Sequence, residues 1–122
     1  MDTGAVLCID DEPVSLNLYK SILESGGYRA LLAQSANAGC EIARSQHVDA
    51  VLLDYWMSGK KGSEAAHELR VQNPGLPIIV ISGFGPLSGE GLGDISLWLV
   101  KPVPPERLLD ELRKLLDPKP KR

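Results

Sequence analysis

The chain lacks the run of about 18 apolar residues that a membrane-spanning helix needs, and residues Met1–Gly4 lack the basic and apolar regions of a signal peptide. Its two cysteines, Cys8 and Cys40, do not form a disulfide framework or a metal-binding pattern. The net charge of −3 and the isoelectric point near 5.3 argue against a nucleic-acid binder, which usually has a basic face. We therefore expect a reduced, cytoplasmic protein that binds neither nucleic acid nor membrane by itself.

The size and composition are those of one globular domain. A chain of 122 residues with 43% hydrophobic and 24% charged residues is long enough to bury a core. We expect this domain to cover residues 1–117. The basic cluster Lys119-Pro120-Lys121-Arg122 follows a proline, so residues 118–122 are expected to be a basic tail or the stub of a linker.

Short apolar runs alternate with helical patterns along the whole chain. The predicted strands are Ala5–Ile9, Tyr28–Ala33, Ala50–Leu53, Pro77–Ser82 and Leu97–Val100. The first predicted helix is Pro13–Ser25, where Val14, Leu18 and Ile22 recur at helical spacing. A second helix is expected to follow its N-cap Ser35, and a third to cover Ser63–Val71. The last predicted helix begins at Pro104-Pro105-Glu106. This alternation predicts a three-layer, doubly wound α/β fold of (βα)5 type, in which helices cover both faces of a parallel sheet.

A glycine-rich segment interrupts the alternation before the last strand. Residues Gly83–Gly93 contain five of the twelve glycines and a proline, at the place where a fourth helix is expected. Each glycine in a helix interior costs about 1 kcal/mol relative to alanine. We therefore expect the fourth helix to be short or irregular, either a loop or a single weak turn.

Polar residues follow four of the apolar runs where each run ends: Asp10-Asp11, Asp54, Ser82 and Lys101. Taken singly, these residues are ordinary at strand ends. If the strands are neighbours, however, their carboxyl ends open onto one crevice, where α/β sheets place their ligands. Carboxylates at short range repel unless a cation offsets their charge, and Mg²⁺ prefers oxygen ligands. Together with the Ser82 hydroxyl and the Lys101 ammonium group, the aspartate carboxylates predict a metal-assisted phosphate site.

With these residues, the chain resembles a response-regulator receiver domain of two-component signalling across essentially its whole length. The matching motifs are Asp10-Asp11, Asp54 with Gly62 eight residues later, Ser82 and Lys101-Pro102. They occur in the family's order and near its spacing. The resemblance implies a flavodoxin-like fold with a five-stranded parallel sheet in the order 2-1-3-4-5. It also implies a cis Lys101–Pro102 bond.

The resemblance further implies a phosphoryl transfer to the Asp54 carboxylate from a histidine kinase or a phosphotransfer protein. Asp11, Asp54 and the backbone carbonyl of Trp56 would hold Mg²⁺, and Asp10 would act through a bound water. The metal and Lys101 would neutralise charge on the transferring phosphoryl group. The domain itself would be a signalling module rather than an enzyme.

The resemblance also implies a relay, and here the sequence departs from the family pattern. Ser82 would move toward the phosphoryl group and bias the domain between two states. Trp98 occupies the position of a switch aromatic, normally Tyr or Phe, but it is equally well explained as a strand residue packed on the sheet. Ser58 replaces a usual proline, and the interval from Ser82 to Lys101 is a few residues short. The output of this chain is therefore expected to differ from the family's common dimerisation mode.

Two bulky residues are expected beside the site. Trp56 lies two residues after Asp54, and Phe84 lies two residues after Ser82. We hypothesise that these apolar side chains hinder the approach of water to the phosphorylated aspartate. Self-dephosphorylation would then be slow.

Two other functions remain open from the sequence. One is a receiver that only docks to a partner and has lost phosphotransfer, although all the acids and the lysine are present. The other is a Mg²⁺-dependent phosphatase that forms an aspartyl phosphate, but such enzymes usually carry a second aspartate at the position of Trp56. The signal would pass to a downstream protein or to a fused output or kinase domain, and the sequence does not decide between them.

Overall fold

The computed structural model describes residues 4–57, 62–86 and 92–116. Five parallel strands form one sheet in the order β2-β1-β3-β4-β5. The strands are β1 (Ala5–Ile9), β2 (Arg29–Ala33), β3 (Ala50–Asp54), β4 (Ile78–Ser82) and β5 (Leu97–Val100). The described residues also form the helices α1 (Pro13–Ser25), α2 (Ala36–Ser45), α3 (Gly62–Gln72) and α4 (Pro105–Leu116). The predicted fold class and strand order are confirmed, with element ends shifted by single residues.

The sheet separates two hydrophobic cores, which makes the fold three layers deep. Leu7 and Ile9 of β1 face the core that is covered by α2 and α3. Val6 and Cys8 of the same strand face the opposite core, which is covered by α1 and α4. Because both faces of the central strands are buried, these strands are apolar throughout rather than alternating between apolar and polar residues.

The helix ends follow local sequence signals. The Ser35 hydroxyl accepts a hydrogen bond of 3.0 Å from the backbone N–H of Ala38, which confirms the predicted N-cap of α2. Gly27, just after α1, has a φ of 90°, a conformation that glycine adopts without steric cost. In the part of the chain that the structure describes, no helix combines the length and the apolar character that crossing a membrane requires.

The connection from β4 to β5 agrees with the prediction of a short or irregular fourth helix. Its described part contains one 3₁₀ turn, Leu92–Asp94. Arg70 of α3 donates a hydrogen bond of 2.8 Å to the Asp94 carbonyl, so this turn is attached to α3. Residues 87–91 of the glycine-rich segment lie outside the described residues, as do Ser58 and the predicted tail 118–122.

The apolar residues that α1 exposes include two of the three that define its helical spacing. The apolar residues at four-residue intervals predict the helix correctly, but Val14 is 79% exposed and Leu18 is 57% exposed. The side chains that α1 buries are those of Leu16, Ile22 and Leu23. The first two turns of α1 therefore present apolar side chains to solvent.

The loop after β3 is closed by a contact that requires glycine. The backbone N–H of Gly62 donates a hydrogen bond of 2.9 Å to the Tyr55 carbonyl. A Cβ atom at Gly62 would lie 2.8 Å from the Tyr55 Cα and 2.6 Å from its ring Cδ1. Because Tyr55 is fully buried, it has little room to move away.

We expect Gly62→Ala to lower the free energy of unfolding by about 1–3 kcal/mol, the usual cost of overpacking a core. Gly75→Ala is the matched control, because a Cβ there would meet nothing within 4 Å, and it should change stability by less than about 0.5 kcal/mol. Urea denaturation of both variants measures the difference. Equal stabilities would contradict the close contact at Tyr55.

Candidate functional site

Three aspartates meet at the carboxyl edge of the sheet because β1 and β3 are neighbouring strands. Ile9 pairs with Leu53, so the residues that follow them lie side by side. One carboxylate oxygen from each of Asp10, Asp11 and Asp54 lies within 4.8 Å of the other two. The structure therefore brings together the three acids that the sequence singled out.

Asp10 carries an unusual feature of this cluster. Its side chain is only 2% exposed, and its Oδ1 accepts a hydrogen bond of 2.9 Å from the backbone N–H of Glu12. Its Oδ2 is buried and has no hydrogen-bond partner among the described residues. Because a buried carboxylate oxygen without a donor is costly, this oxygen suits a cation or a cation-bound water. The acidic cluster thus fits a divalent metal ion.

Two carboxyl groups of the cluster have raised pKa values. Burial, reinforced by the negative charge of Asp10, raises the pKa of Asp54 to about 6. Lys101 and a hydrogen bond from the backbone N–H of Trp56 oppose this rise in the pKa of Asp54. Burial also raises the pKa of Asp10. A metal ion would have to compete with protons at these carboxyl groups.

Ser82 ends β4, and Lys101 directly follows the end of β5. Ser82, which is fully buried, pairs with Val100 in the β4–β5 register. The backbone N–H of Lys101 donates a hydrogen bond of 2.7 Å to the Ser82 carbonyl. The positive charge of Lys101 opposes the rise in the pKa of Asp10 and of Asp54, so it lies within electrostatic reach of both carboxylates. The peptide bond before Pro102 is cis, as the resemblance implies.

Trp56 lies beside the cluster with its side chain 43% exposed. Its backbone N–H is engaged with the Asp54 carboxylate. The Gly62–Tyr55 hydrogen bond closes the loop that carries it. The metal-binding role of the Trp56 carbonyl stays a prediction.

Sequence reasoning missed an aromatic group next to these residues. The Trp98 ring packs on the buried Tyr55, with ring centroids 4.8 Å apart and planes at 47°. Its indole Nε1 donates a hydrogen bond of 2.8 Å to the backbone carbonyl of Phe84. The backbone N–H of Phe84 donates in turn to the Ser82 hydroxyl at 3.2 Å. The one sequence signal for this arrangement was a tryptophan where the family has a smaller aromatic residue.

The fold and the site together define the class of protein. A doubly wound sheet with acidic residues at its carboxyl edge is an α/β ligand-binding domain. A family model described as the response regulator receiver domain matches residues 6–113. The chain belongs to this family, and it is a signalling domain of two-component systems.

Curated relatives agree with this family. The probable transcriptional regulatory protein TcrX of Mycobacterium tuberculosis is 32% identical over 91% of this chain and 49% of its own length. Protein PilH of Pseudomonas aeruginosa is 28% identical over 91% of this chain and 96% of its own length. The chain therefore spans about half of TcrX and nearly the whole of PilH.

Solved structures show the same fold. A CheY-like receiver domain protein from Methanospirillum hungatei has a TM-score of 0.88 at 27% identity, over 93% of this chain and 94% of that chain. The response regulator protein TrrA from Thermotoga maritima, crystallised in complex with Mg²⁺-BeF, has a TM-score of 0.87 at 28% identity. That match covers 93% of this chain and 99% of the TrrA chain.

Asp54→Asn should stabilise the metal-free folded protein above about pH 6. Since the pKa of Asp54 is raised to about 6 in the folded state from about 3.9 in an unfolded chain, the folded state binds more protons between these values. The wild type therefore loses stability as the pH rises through this window. We expect Tm to be several degrees higher in the variant at about pH 7.5, with a gap that shrinks toward about pH 4.

Thermal unfolding in a chelator, followed across this pH range, measures the effect. Asp110→Asn is the control, because Asp110 is an exposed residue of α4 paired with Arg113 at the surface. It should change Tm little at any pH in the window. A gap for Asp54→Asn that stays constant with pH would contradict the raised pKa.

Proposed function

We propose that this chain is a phosphoacceptor receiver, in which Asp54 takes a phosphoryl group from a phosphohistidine in a Mg²⁺-dependent reaction. The donor is a histidine kinase or a phosphotransfer protein. The observation that carries the proposal is the convergence of Asp10, Asp11 and Asp54, where the buried Oδ2 of Asp10 has no hydrogen-bond partner among the described residues. This arrangement is costly unless a cation offsets it, and a cation beside a carboxylate nucleophile is what phosphoryl transfer requires.

The metal ligands follow from this arrangement and from the family resemblance. Asp11, Asp54 and the Trp56 carbonyl would bind Mg²⁺ directly, while Asp10 would bind it through a water. Such a water, by donating to the Asp10 Oδ2, would supply the hydrogen bond that this oxygen lacks within the described residues. When bound, Mg²⁺ supplies positive charge beside the oxygens of the transferring phosphoryl group.

The transfer itself is a substitution at phosphorus. An oxygen of the ionised Asp54 carboxylate forms a bond to phosphorus while the phosphorus–nitrogen bond to the donor histidine breaks. The Lys101 ammonium, whose charge already acts on Asp54, stabilises negative charge on the phosphoryl oxygens. The Ser82 hydroxyl, on the neighbouring strand, donates to one of these oxygens.

The exposed part of α1 supports docking of a protein donor. Val14 and Leu18 lie one helical turn apart and are largely exposed. The helix begins two residues after Asp11, so its exposed apolar face starts close to the acidic cluster along the chain. An apolar face at this place is suited to a partner that must deliver its phosphohistidine to Asp54. The signal would then pass to a downstream protein or to a fused output or kinase domain.

Incubation with Mg²⁺ and phosphoramidate, a small donor with a phosphorus–nitrogen bond, should add one phosphoryl group to the wild-type protein. Asp54→Asn should abolish the gain, and Asp110→Asn should not, because Asp110 is a surface carboxylate paired with Arg113. Chelation of Mg²⁺ should abolish the gain in every variant. Intact-protein mass spectrometry measures the product.

The same experiment separates the proposal from its alternatives. A wild type that gains no phosphoryl group with Mg²⁺ present would instead support a receiver that only docks. Catalytic turnover of a phosphomonoester would support an aspartyl-phosphate phosphatase. That function is disfavoured because Trp56 stands where such enzymes place their second aspartate.

We propose further that the phosphorylated form decays slowly. Trp56 follows Asp54 by two residues and Phe84 follows Ser82 by two, and their apolar side chains are 43% and 68% exposed. In this proposal they hinder the water that attacks in line with the bond to Asp54. The double variant Trp56→Asn, Phe84→Glu should therefore lose its phosphoryl group faster, by roughly tenfold, which corresponds to about 1.4 kcal/mol in the barrier. Mass spectrometry over time, after removal of the donor, measures the decay.

Val71→Asn is the matched control for this decay. Val71 is as exposed as Phe84, at 68%, but it lies near the C-terminal end of α3, away from the carboxyl edge of the sheet. The control should decay at the wild-type rate. Equal decay in the double variant and the wild type would refute the proposed hindrance.

A further inference from the structure

A second group of metal-ligating side chains lies where α3 meets the 3₁₀ turn that precedes β5. The Nδ1 atom of His67, on α3, lies 3.2 Å from the Oδ2 atom of Asp94, in the turn. Glu64 precedes His67 by three residues on α3, so both side chains project from one side of the helix. These three residues, with Ser63, line a cavity of about 400 Å³. The group shares no residue with the acidic cluster of Asp10, Asp11 and Asp54.

The spacing of His67 and Asp94 suits two ligands of one metal ion. Zn²⁺ binds imidazole nitrogen and carboxylate oxygen at about 2.0–2.2 Å, which at a tetrahedral angle separates the two ligand atoms by about 3.3–3.5 Å. The observed separation is 3.2 Å. An ion can therefore take the place of the proton between these two groups with little movement of either side chain.

The backbone that carries each of these two residues is held in place. The Arg70 guanidinium donates one hydrogen bond of 2.8 Å to the Asp94 carbonyl and another of 2.8 Å to the Pro74 carbonyl. Ile95, which follows Asp94, packs against the core that α2 and α3 cover. His67 lies in the middle of α3, and its side chain is 69% exposed. The pair is thus fixed at its base and open to an ion from solvent, which is the arrangement that a preorganised site requires.

Glu64 supplies the third ligand. A glutamate three residues before a histidine on one helix is a pair that binds metals in helical bundles. Here the Glu64 carboxylate does not lie within 4.8 Å of both the His67 and the Asp94 ligand atoms. It reaches the ion by a side-chain rotation, because Glu64 is an exposed residue that lines the same cavity.

We propose that Glu64, His67 and Asp94 form a second metal site, which takes a divalent transition metal of the Zn²⁺ class and joins α3 to the turn before β5. An imidazole nitrogen together with carboxylate oxygens suits Zn²⁺, whereas Mg²⁺ takes oxygen ligands. Water completes the coordination of the ion. The site does not depend on the phosphoacceptor function proposed above, and that function does not depend on it.

NMR spectroscopy of the histidine rings tests the site directly, because the chain contains only His47 and His67. Titration with Zn²⁺ in the presence of excess Mg²⁺ should shift the His67 ring signals in a saturable way. His47 is the internal control: it is also exposed and lies 2.8 Å from a carboxylate oxygen of Asp49, but the residue three positions before it is Arg44. Its signals should report an affinity at least about tenfold weaker, since a third ligand is missing. A His47→Gln variant assigns the two sets of signals.

Variants of the carboxylates identify the other ligands. Asp94→Asn and Glu64→Gln should each weaken Zn²⁺ binding at His67 by at least about tenfold, as the loss of even an outer-sphere partner does in metal sites. Glu68→Gln is the matched control, because Glu68 is the neighbour of His67 on α3 but its carboxylate lies 3.7 Å from Arg44. It should leave the Zn²⁺ affinity of His67 at the wild-type value.

Amide hydrogen exchange in the turn Leu92–Asp94 gives a second measurement. Zn²⁺ should slow this exchange by at least about threefold in the wild type and leave it unchanged in His67→Gln, since the ion ties the turn to α3. Equal Zn²⁺ affinities of the two histidines, or a His67 affinity that Asp94→Asn and Glu64→Gln leave unchanged, would overturn the second site. Binding that is lost only in Asp54→Asn would place the ion in the acidic cluster and would overturn it as well.

Discussion

Repulsion among three carboxylates at one edge of the sheet is the constraint on which the rest of this structure depends. The β1–β3 pairing brings Asp10, Asp11 and Asp54 within 4.8 Å of one another, and burial of Asp10 removes much of the water that would screen its charge. Burial is the largest cause of the raised pKa values of Asp10 and Asp54, and the negative charges of neighbouring carboxylates add to the rise. Lys101 offsets part of the repulsion, and a divalent cation would offset the rest.

The sheet tolerates this cost because its other contacts are apolar. Every residue of β1 and β4 is buried, and the helices complete one hydrophobic core on each face of the sheet. Charge is thus confined to the ends of the strands, where the backbone turns toward the helices. A cation that binds at this edge would reduce the repulsion among the carboxylates without changing the packing of the two cores.

Much of this could be predicted from the sequence, since the signals are local. The apolar runs, the residue that ends each run and the cap at Ser35 are read within a few positions, and the family resemblance supplied the strand order. The solvent face of α1 was not predictable from its spacing, because Val14, Leu18 and Ile22 share a pattern that only packing against the sheet divides into exposed and buried residues. The Trp98–Phe84 hydrogen bond joins residues 14 positions apart, and no local pattern encodes such a contact.

The aromatic group connects the chemistry at the sheet edge to its last strand. Tyr55 directly follows Asp54 and packs on Trp98 of β5, while Trp98 also bonds to the backbone that contacts Ser82. The indole is thus linked to Asp54 through Tyr55 and to Ser82 through the Phe84 backbone. Among the described residues, a half-buried tryptophan therefore joins β5 to the backbone that follows β4 by a hydrogen bond.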